Sequence, residues 1–285
     1  LTDILWRPIL LPFEARIRNV DLVHMLYPRP FSLALHKKPV IATVHDLYAL
    51  EHPEIFSVWE QRCNQSLAPF LQNLRQILTV SDFTKKEILR FFPNLDPSLI
   101  QVTHNGFNKQ RFRPIAGKFI TELQQKLKLE KPYFLFVSTF EPRKNILILL
   151  EAFMASSLAD DFDLLLAGGD GWVPDYIRQI KEKIESSPSI RRLGFVPADD
   201  LPALYAGAQA FVYPSLYEGF GLPILEAMAC ECPVICSEGS SLDEVSGGAA
   251  LQVPANSMEG WVEALRDIAS DTTQTEQMKT RGLAQ

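Results

Sequence analysis

Two glutamates stand eight residues apart in "YPSLYEGFGLPILEAMA", residues 213–229: Glu218 before a glycine-rich turn and Glu226 after it. Gly219 and Gly221 let the backbone turn sharply and approach a ligand with no Cβ in the way. Pro223 suits the first position of a helix, where its missing N–H costs nothing. The free N–H groups in the run Gly221 to Ile224 then point out of the helix start and, with the helix dipole, form a site for phosphate. Carboxylates beside a bound diphosphate repel it unless each has other work. A carboxylate accepts hydrogen bonds from vicinal hydroxyls, and such charge-assisted bonds contribute about 1.5–3 kcal/mol each. Glu226 falls about one turn into the helix, and Glu218 lies on the other side of the turn. A ligand with a hydroxylated ring on each side of a diphosphate satisfies both: a ribose at Glu226 and a second sugar at Glu218. That ligand is a nucleoside-diphosphate sugar. On two carboxylates alone, the competing account is an acid on a helix dipole and another in a surface turn.

The elements that must position these residues read as short apolar runs alternating with amphipathic stretches, the pattern of βαβ units and parallel sheets. In the first half, strands are expected over 20–26, 39–46, 76–80 and 99–103, with a helix over 81–92 that Ser81 caps. "RFRPIAGKF" (111–119) carries the Pro and Gly of a linker, and a short helical stretch follows. Strands are then expected over 132–138, 162–168, 190–195, 210–214, 233–237 and 249–253. Helices are expected from Lys144 and over 174–185, 199–207, 223–230 and 256–269. This α/β alternation reads as a doubly wound open sheet, in which ligands bind outside the carboxyl ends of the strands.

The bulk numbers set the frame. A chain of 285 residues allows two domains, each long enough for its own core. Its apolar runs are far shorter than a bilayer requires. No secretory signal opens it, and Leu1 in place of Met leads us to expect a fragment or a processed form. Net charge is −6, but residues 1–113 hold 14 basic and 10 acidic residues while residues 114–285 hold 14 and 24. That asymmetry suggests two units with different partners. No basic stripe interleaved with aromatics points to nucleic acid. Cys230, Cys232 and Cys236 in "CECPVIC" read as small buried hydrophobes around a strand rather than gathered metal ligands. With Cys63 they fit a reducing, cytoplasmic compartment.

"LLLAGGDGW", "RRLGFVPADDLPALYAGA", "FVYPSLYEGFGLPILEAMACECPVICS" and "GGAALQVPAN" follow one another along the second half of the chain. Through them, residues 133–283 resemble the retaining glycosyltransferases of family 4, which have the GT-B fold. "VIATVHDL", "LTVSDFTKKEIL" and "VTHNGFNKQRFRP" extend the resemblance to the first half. It implies two Rossmann-like doubly wound domains facing a cleft: a partial acceptor-side domain over 1–113, a linker over 114–131 and a nucleotide-sugar-binding domain over 132–285. It implies that Glu226 binds the donor ribose and that Glu218 contacts the donor sugar. Amides around Gly219, Phe220, Gly221 and Leu222 would hold sugar and phosphate. Lys144, in "TFEPRKN", would be the cation on the diphosphate. Family members often carry an arginine five residues ahead of this lysine. Here that position is Thr139, on the donor side, and Arg143 is the candidate for the second cation. The alternative for Arg143 and Lys144 is a solvated helix start. His45, at the end of a strand in "TVHD", would hydrogen-bond the transferred sugar, or be a structural histidine that Asp46 orients. Gly168 permits close backbone approach or serves only the turn, and Phe195 and Val196 would border the base.

The resemblance therefore implies transfer of a hexose from a UDP- or GDP-sugar to a hydroxyl acceptor, with retention and with no metal or other cofactor. A polysaccharide, glycolipid or lipid-linked sugar is the acceptor class. Two further readings stay open: a non-catalytic nucleotide-sugar-binding module or inactive fragment of such an enzyme, and a sugar phosphorylase or epimerase of the same fold. The basic-apolar segment "FTKKEILRFF" fits either weak peripheral contact with the inner face of a membrane or a helix with one core face and one solvated face.

Overall fold

In the second half of the chain, near-continuous runs of Val, Ile, Leu and Phe become central strands buried on both faces, as parallel sheets covered on both sides demand. The computed structural model describes residues 19–27, 38–58, 61–62 and 66–285, and in it two parallel sheets form the framework. The chain divides into two units, Leu1–Asn105 and Gly106–Gln285, each packed mainly on itself. Residues 114–131, expected as a linker, thus fall in the second unit, and Gly117–Leu127 forms a helix there. Cys63 lies outside the described residues.

The first unit has four strands in the order β1 (Val23–Met25), β2 (Val40–Val44), β3 (Gln76–Thr79) and β4 (Ile100–Val102). Its core gathers Ala42, Leu71, Ile77 and Ile88. The helix Asp82–Phe91 is capped by Ser81, whose Oγ accepts the Thr84 N–H at 3.0 Å.

The second unit has six strands: β5 (Tyr133–Val137), β6 (Asp163–Ala167), β7 (Ile190–Gly194), β8 (Ala210–Tyr213), β9 (Val234–Ser237) and β10 (Leu251–Val253). They lie in the order β10-β9-β8-β5-β6-β7. The winding direction reverses between β5 and β8, and a crevice opens outside the carboxyl ends of the strands at such a switch point. The sequence after β5 carries Lys144, and the sequence after β8 carries Glu218. Phe134, Phe136, Phe211 and Trp261 fill the core beneath them.

Every strand expected in the described residues is present, within three residues of its expected ends. Among the described residues, four helices were not expected: Tyr48–Glu51, Leu67–Gln72, Leu242–Ser246 and Thr272–Ala284. Lys144 does not start a helix. It ends a 3-10 turn, Pro142–Lys144, and the helix Ile146–Ala155 begins after Asn145, which is left-handed at φ 53°.

Candidate active site

Behind β8 the chain runs through Ser215 to Gly221 and enters the helix Leu222–Ala229. Gly221 is its N-cap at φ 105°, and a Cβ there would lie 2.7 Å from Leu242 Cδ2, so only glycine fits. Pro223 takes the second helical position, not the expected first, and the Ile224 N–H donates to the Gly221 carbonyl at 3.0 Å. The N–H groups of Gly221 and Leu222, ahead of the helix's own hydrogen bonding, are the ones the turn presents.

The loop is tied down through its carbonyls. Ser241 Oγ donates to the carbonyls of Glu218 and Phe220, at 2.9 Å each. Ser237 Oγ donates to the Ser215 carbonyl. From the other side, the Leu216 N–H donates to the Arg143 carbonyl at 2.8 Å.

Glu218 is 5% exposed and lies within a buried charge cluster. Lys144 Nζ donates to its Oε1 at 2.5 Å and to the Tyr213 hydroxyl at 2.7 Å. Arg143 Nη1 donates to Glu218 Oε2 at 3.1 Å, and Arg143 Nε to Glu141 Oε2 at 2.9 Å. Burial by itself would raise the Glu218 carboxyl, but Lys144 and Arg143 outweigh it and hold it below the ordinary carboxylate range. Arg143 and Lys144 are thus neither solvated nor free: both are matched to buried acids.

Glu226 stands in a different environment. Its Oε2 accepts from the Tyr205 hydroxyl at 3.4 Å. Burial pushes its carboxyl up to about 7, with Tyr205 and Arg111 pulling back only slightly.

Of the other expected site residues, Gly168 has φ 139°, and a Cβ there would lie 1.8 Å from the Ser138 carbonyl oxygen. The ends of β5 and β6 approach closely only because it is glycine. Thr139 adjoins this crossing, its carbonyl accepting the Glu141 N–H at 3.0 Å. Phe195 is 86% exposed beyond β7, while Val196 is half-buried against the core. His45 follows β2 in the first unit. Its Nε2 lies 2.9 Å from the Leu26 carbonyl, which as an acceptor takes the Nε2 proton, and its ring stacks on Tyr27 at 5.7 Å. Asp46 does not orient it: the Asp46 carboxylate accepts the Tyr48 N–H at 3.2 Å.

Nothing in the cysteine cluster suits a metal. Cys230, Cys232 and Cys236 are buried free thiols, and burial pushes Cys230 and Cys236 up to about 12. One Asp-x-Asp triplet, Asp161-Phe162-Asp163, exists, but it opens β6 at the amino end of the sheet, and Asp163 there faces Arg191 at 3.6 Å.

The chain has counterparts among known proteins. The family model for glycosyl transferases group 1 matches residues 119–285, and that for Glycosyltransferase Family 4 matches residues 2–111. The chain belongs to the family 4 glycosyltransferases. It is 37% identical over 269 residues to O-antigen chain mannosyltransferase B of Escherichia coli, covering 93% of this chain and 70% of that protein. It is 31% identical over 228 residues to O-antigen chain mannosyltransferase RfbU of Salmonella typhimurium, covering 79% of this chain and 60% of that protein. Its fold is that of Anabaena HepE, solved in complex with UDP and glucose, at TM-score 0.80 and 20% identity over 98% of this chain and 77% of that one. The lipopolysaccharide glycosyltransferase WaaG gives a TM-score of 0.74 at 16% identity, over 96% of this chain and 75% of that one. The fold is accordingly GT-B-like.

In this family 4 glycosyltransferase, sequence reasoning missed Glu141, Tyr213, Ser237 and Ser241. Glu141 and Tyr213 each lie within five residues of an expected site residue, and an acid two residues before an arginine in "EPRKN" is a readable signal. The serines carry no comparable signal, because a buried serine that holds a carbonyl looks like any other serine.

Proposed function

We propose that this chain transfers a hexose from a nucleoside-diphosphate sugar to a hydroxyl acceptor with retention of configuration and without a metal ion. The observation that carries this reading is the meeting of Lys144 and Glu218 at the β5/β8 switch point, beside the N-terminus of the helix that bears Glu226. The mannosyltransferase names of its relatives favour mannose as the sugar and a growing polysaccharide or lipid-linked chain as the acceptor. HepE in complex with UDP and glucose is consistent with a UDP- or GDP-sugar donor.

In this reading Glu226 accepts the ribose hydroxyls. Charge that develops on the diphosphate leaving group is met by Lys144 and by the N–H groups of Gly221 and Leu222, fixed before the reaction starts. Glu218 uses one site on each carboxylate oxygen for its two cations, and each oxygen keeps further acceptor capacity for a sugar hydroxyl. Gly219 and Phe220 complete the turn around the sugar. Thr139, Gly168, Phe195 and Val196 lie at the carboxyl ends of β5 to β7, on the donor side. His45 acts on the transferred sugar through Nδ1, since Nε2 is given to Leu26.

A thermal-shift panel of UDP-, GDP- and ADP-sugars followed by a product assay tests the proposal. One nucleotide sugar should raise the melting temperature and donate its hexose to an acceptor. Stabilisation by none of them would remove the donor site.

A further inference from the structure

The Arg143 guanidinium sits between two buried acids. Its Nε donates to Glu141, which is 8% exposed, and its Nη1 donates to Glu218 and to the Tyr217 carbonyl at 3.4 Å. Its own carbonyl accepts the Leu216 N–H. Arg143 therefore touches three successive residues of the loop, 216 to 218, and Glu141 fixes the far side of the fork. Lys144 differs: it faces one carboxylate and a neutral phenol. Glu218 is shared between Arg143 and Lys144, whereas Glu141 pairs with Arg143 alone and opposes its charge toward an incoming anion. Turning the fork to a diphosphate would leave the buried Glu141 carboxylate without its cation and Glu218 with Lys144 alone, which is unfavourable.

We propose that Arg143, locked by Glu141, is a positioning residue that fixes the Glu218 carboxylate and its loop, and that it is not the second cation on the diphosphate. The inference rests on the donor site proposed above. It assigns the diphosphate to Lys144 and the helix start, and gives Arg143 the geometry of the sugar end. A planar fork that holds a carboxylate, a carbonyl and a second carboxylate has no lysine equivalent.

Calorimetry with UDP and GDP, alongside hexose transfer at saturating donor, tests this on the full chain. K144Q should weaken nucleoside-diphosphate binding by more than about tenfold. R143Q should keep that affinity within about threefold and lose about ten- to a hundredfold in turnover, the cost of a misplaced group. R143K keeps the charge without the fork and should stay as impaired as R143Q. If R143Q does not fold, E141Q/R143Q keeps the cluster neutral and takes its place. R143Q/E218Q should be no slower than E218Q, since both remove one interaction. Loss of nucleotide affinity in R143Q on the scale of K144Q, restoration by R143K, or unchanged turnover would each overturn the inference and leave the donor site standing. A wild-type chain that binds neither nucleotide would remove the donor site itself.

Discussion

Burial keeps the Glu226 carboxyl protonated up to about pH 7. A carboxyl raised above its unfolded value adds stability that is fully present below the unfolded pKa and lost as pH rises through the folded one. With a folded value of about 7 against 4.5, that stability is lost between about pH 5 and pH 8. Glu226→Gln should therefore lose less melting temperature than wild type between about pH 5 and pH 8. The same residue makes a ligand-side claim. Ribose hydroxyls that donate to the carboxylate favour its charged form, so nucleoside-diphosphate binding should release a proton and tighten as pH rises through 7. The nucleotide's own phosphate titrates nearby, so the comparison is with Glu226→Gln, which should show the shallower slope. Parallel slopes for the two proteins would detach Glu226 from the ribose.

The turn that begins the helix Leu222–Ala229 depends on Gly221 twice, through φ 105° and through the space Leu242 leaves it. Gly221→Ala should cost about 1–3 kcal/mol of stability in chemical denaturation, by backbone strain as well as crowding. Adding Leu242→Ala should not restore it, because the strain in φ remains. A variant as stable as wild type would mean the turn is not held as described. That turn was legible in the sequence because two glycines, a proline and two acids are each unusual and fall together. The central strands of the second sheet were legible because a doubly covered parallel strand is an apolar run. Elements without such contrast were not. Leu67–Gln72 holds Pro69, which reads as a breaker, and Leu242–Ser246 has five residues. Thr272–Ala284 buries Thr275, Met278 and Gly282, too polar and small to leave an apolar stripe. The helix Asp82–Phe91 shows the reverse case. Its basic-apolar sequence allowed a membrane reading, yet Ile88 is fully buried, Leu89 and Phe91 pack on the core, and Arg90 bonds Glu87 and Glu51. The core face accounts for Ile88, Leu89, Phe91 and Phe92.

At the scale of the molecule, the division between units changes the charge argument. Lys109, Arg111 and Arg113 fall after Asn105 and so belong to the second unit. The first unit then holds 11 basic and 10 acidic residues, and the basic half seen in the sequence largely disappears. The Pro and Gly of "RFRPIAGKF" read as a linker, but their neighbours are structural. Phe112 is 6% exposed and meets the Tyr205 ring edge-on at 6.2 Å. Leu123 is buried, Lys126 pairs with Asp200 at 2.7 Å, and Arg191 donates to the Leu127 and Lys128 carbonyls at the end of that helix. Residues 106–285 expressed alone should therefore unfold cooperatively and still bind the nucleotide that stabilises the full chain. Residues 132–285 lack Phe112 and the helix Gly117–Leu127 that carries Leu123, and each large apolar side chain removed from a core costs about 2–5 kcal/mol. That shorter piece should aggregate or melt without a sharp transition, since the loss rivals the whole stability of a domain. Equal melting curves for the two pieces would show that residues 106–131 only bridge the units and that the second core closes without them.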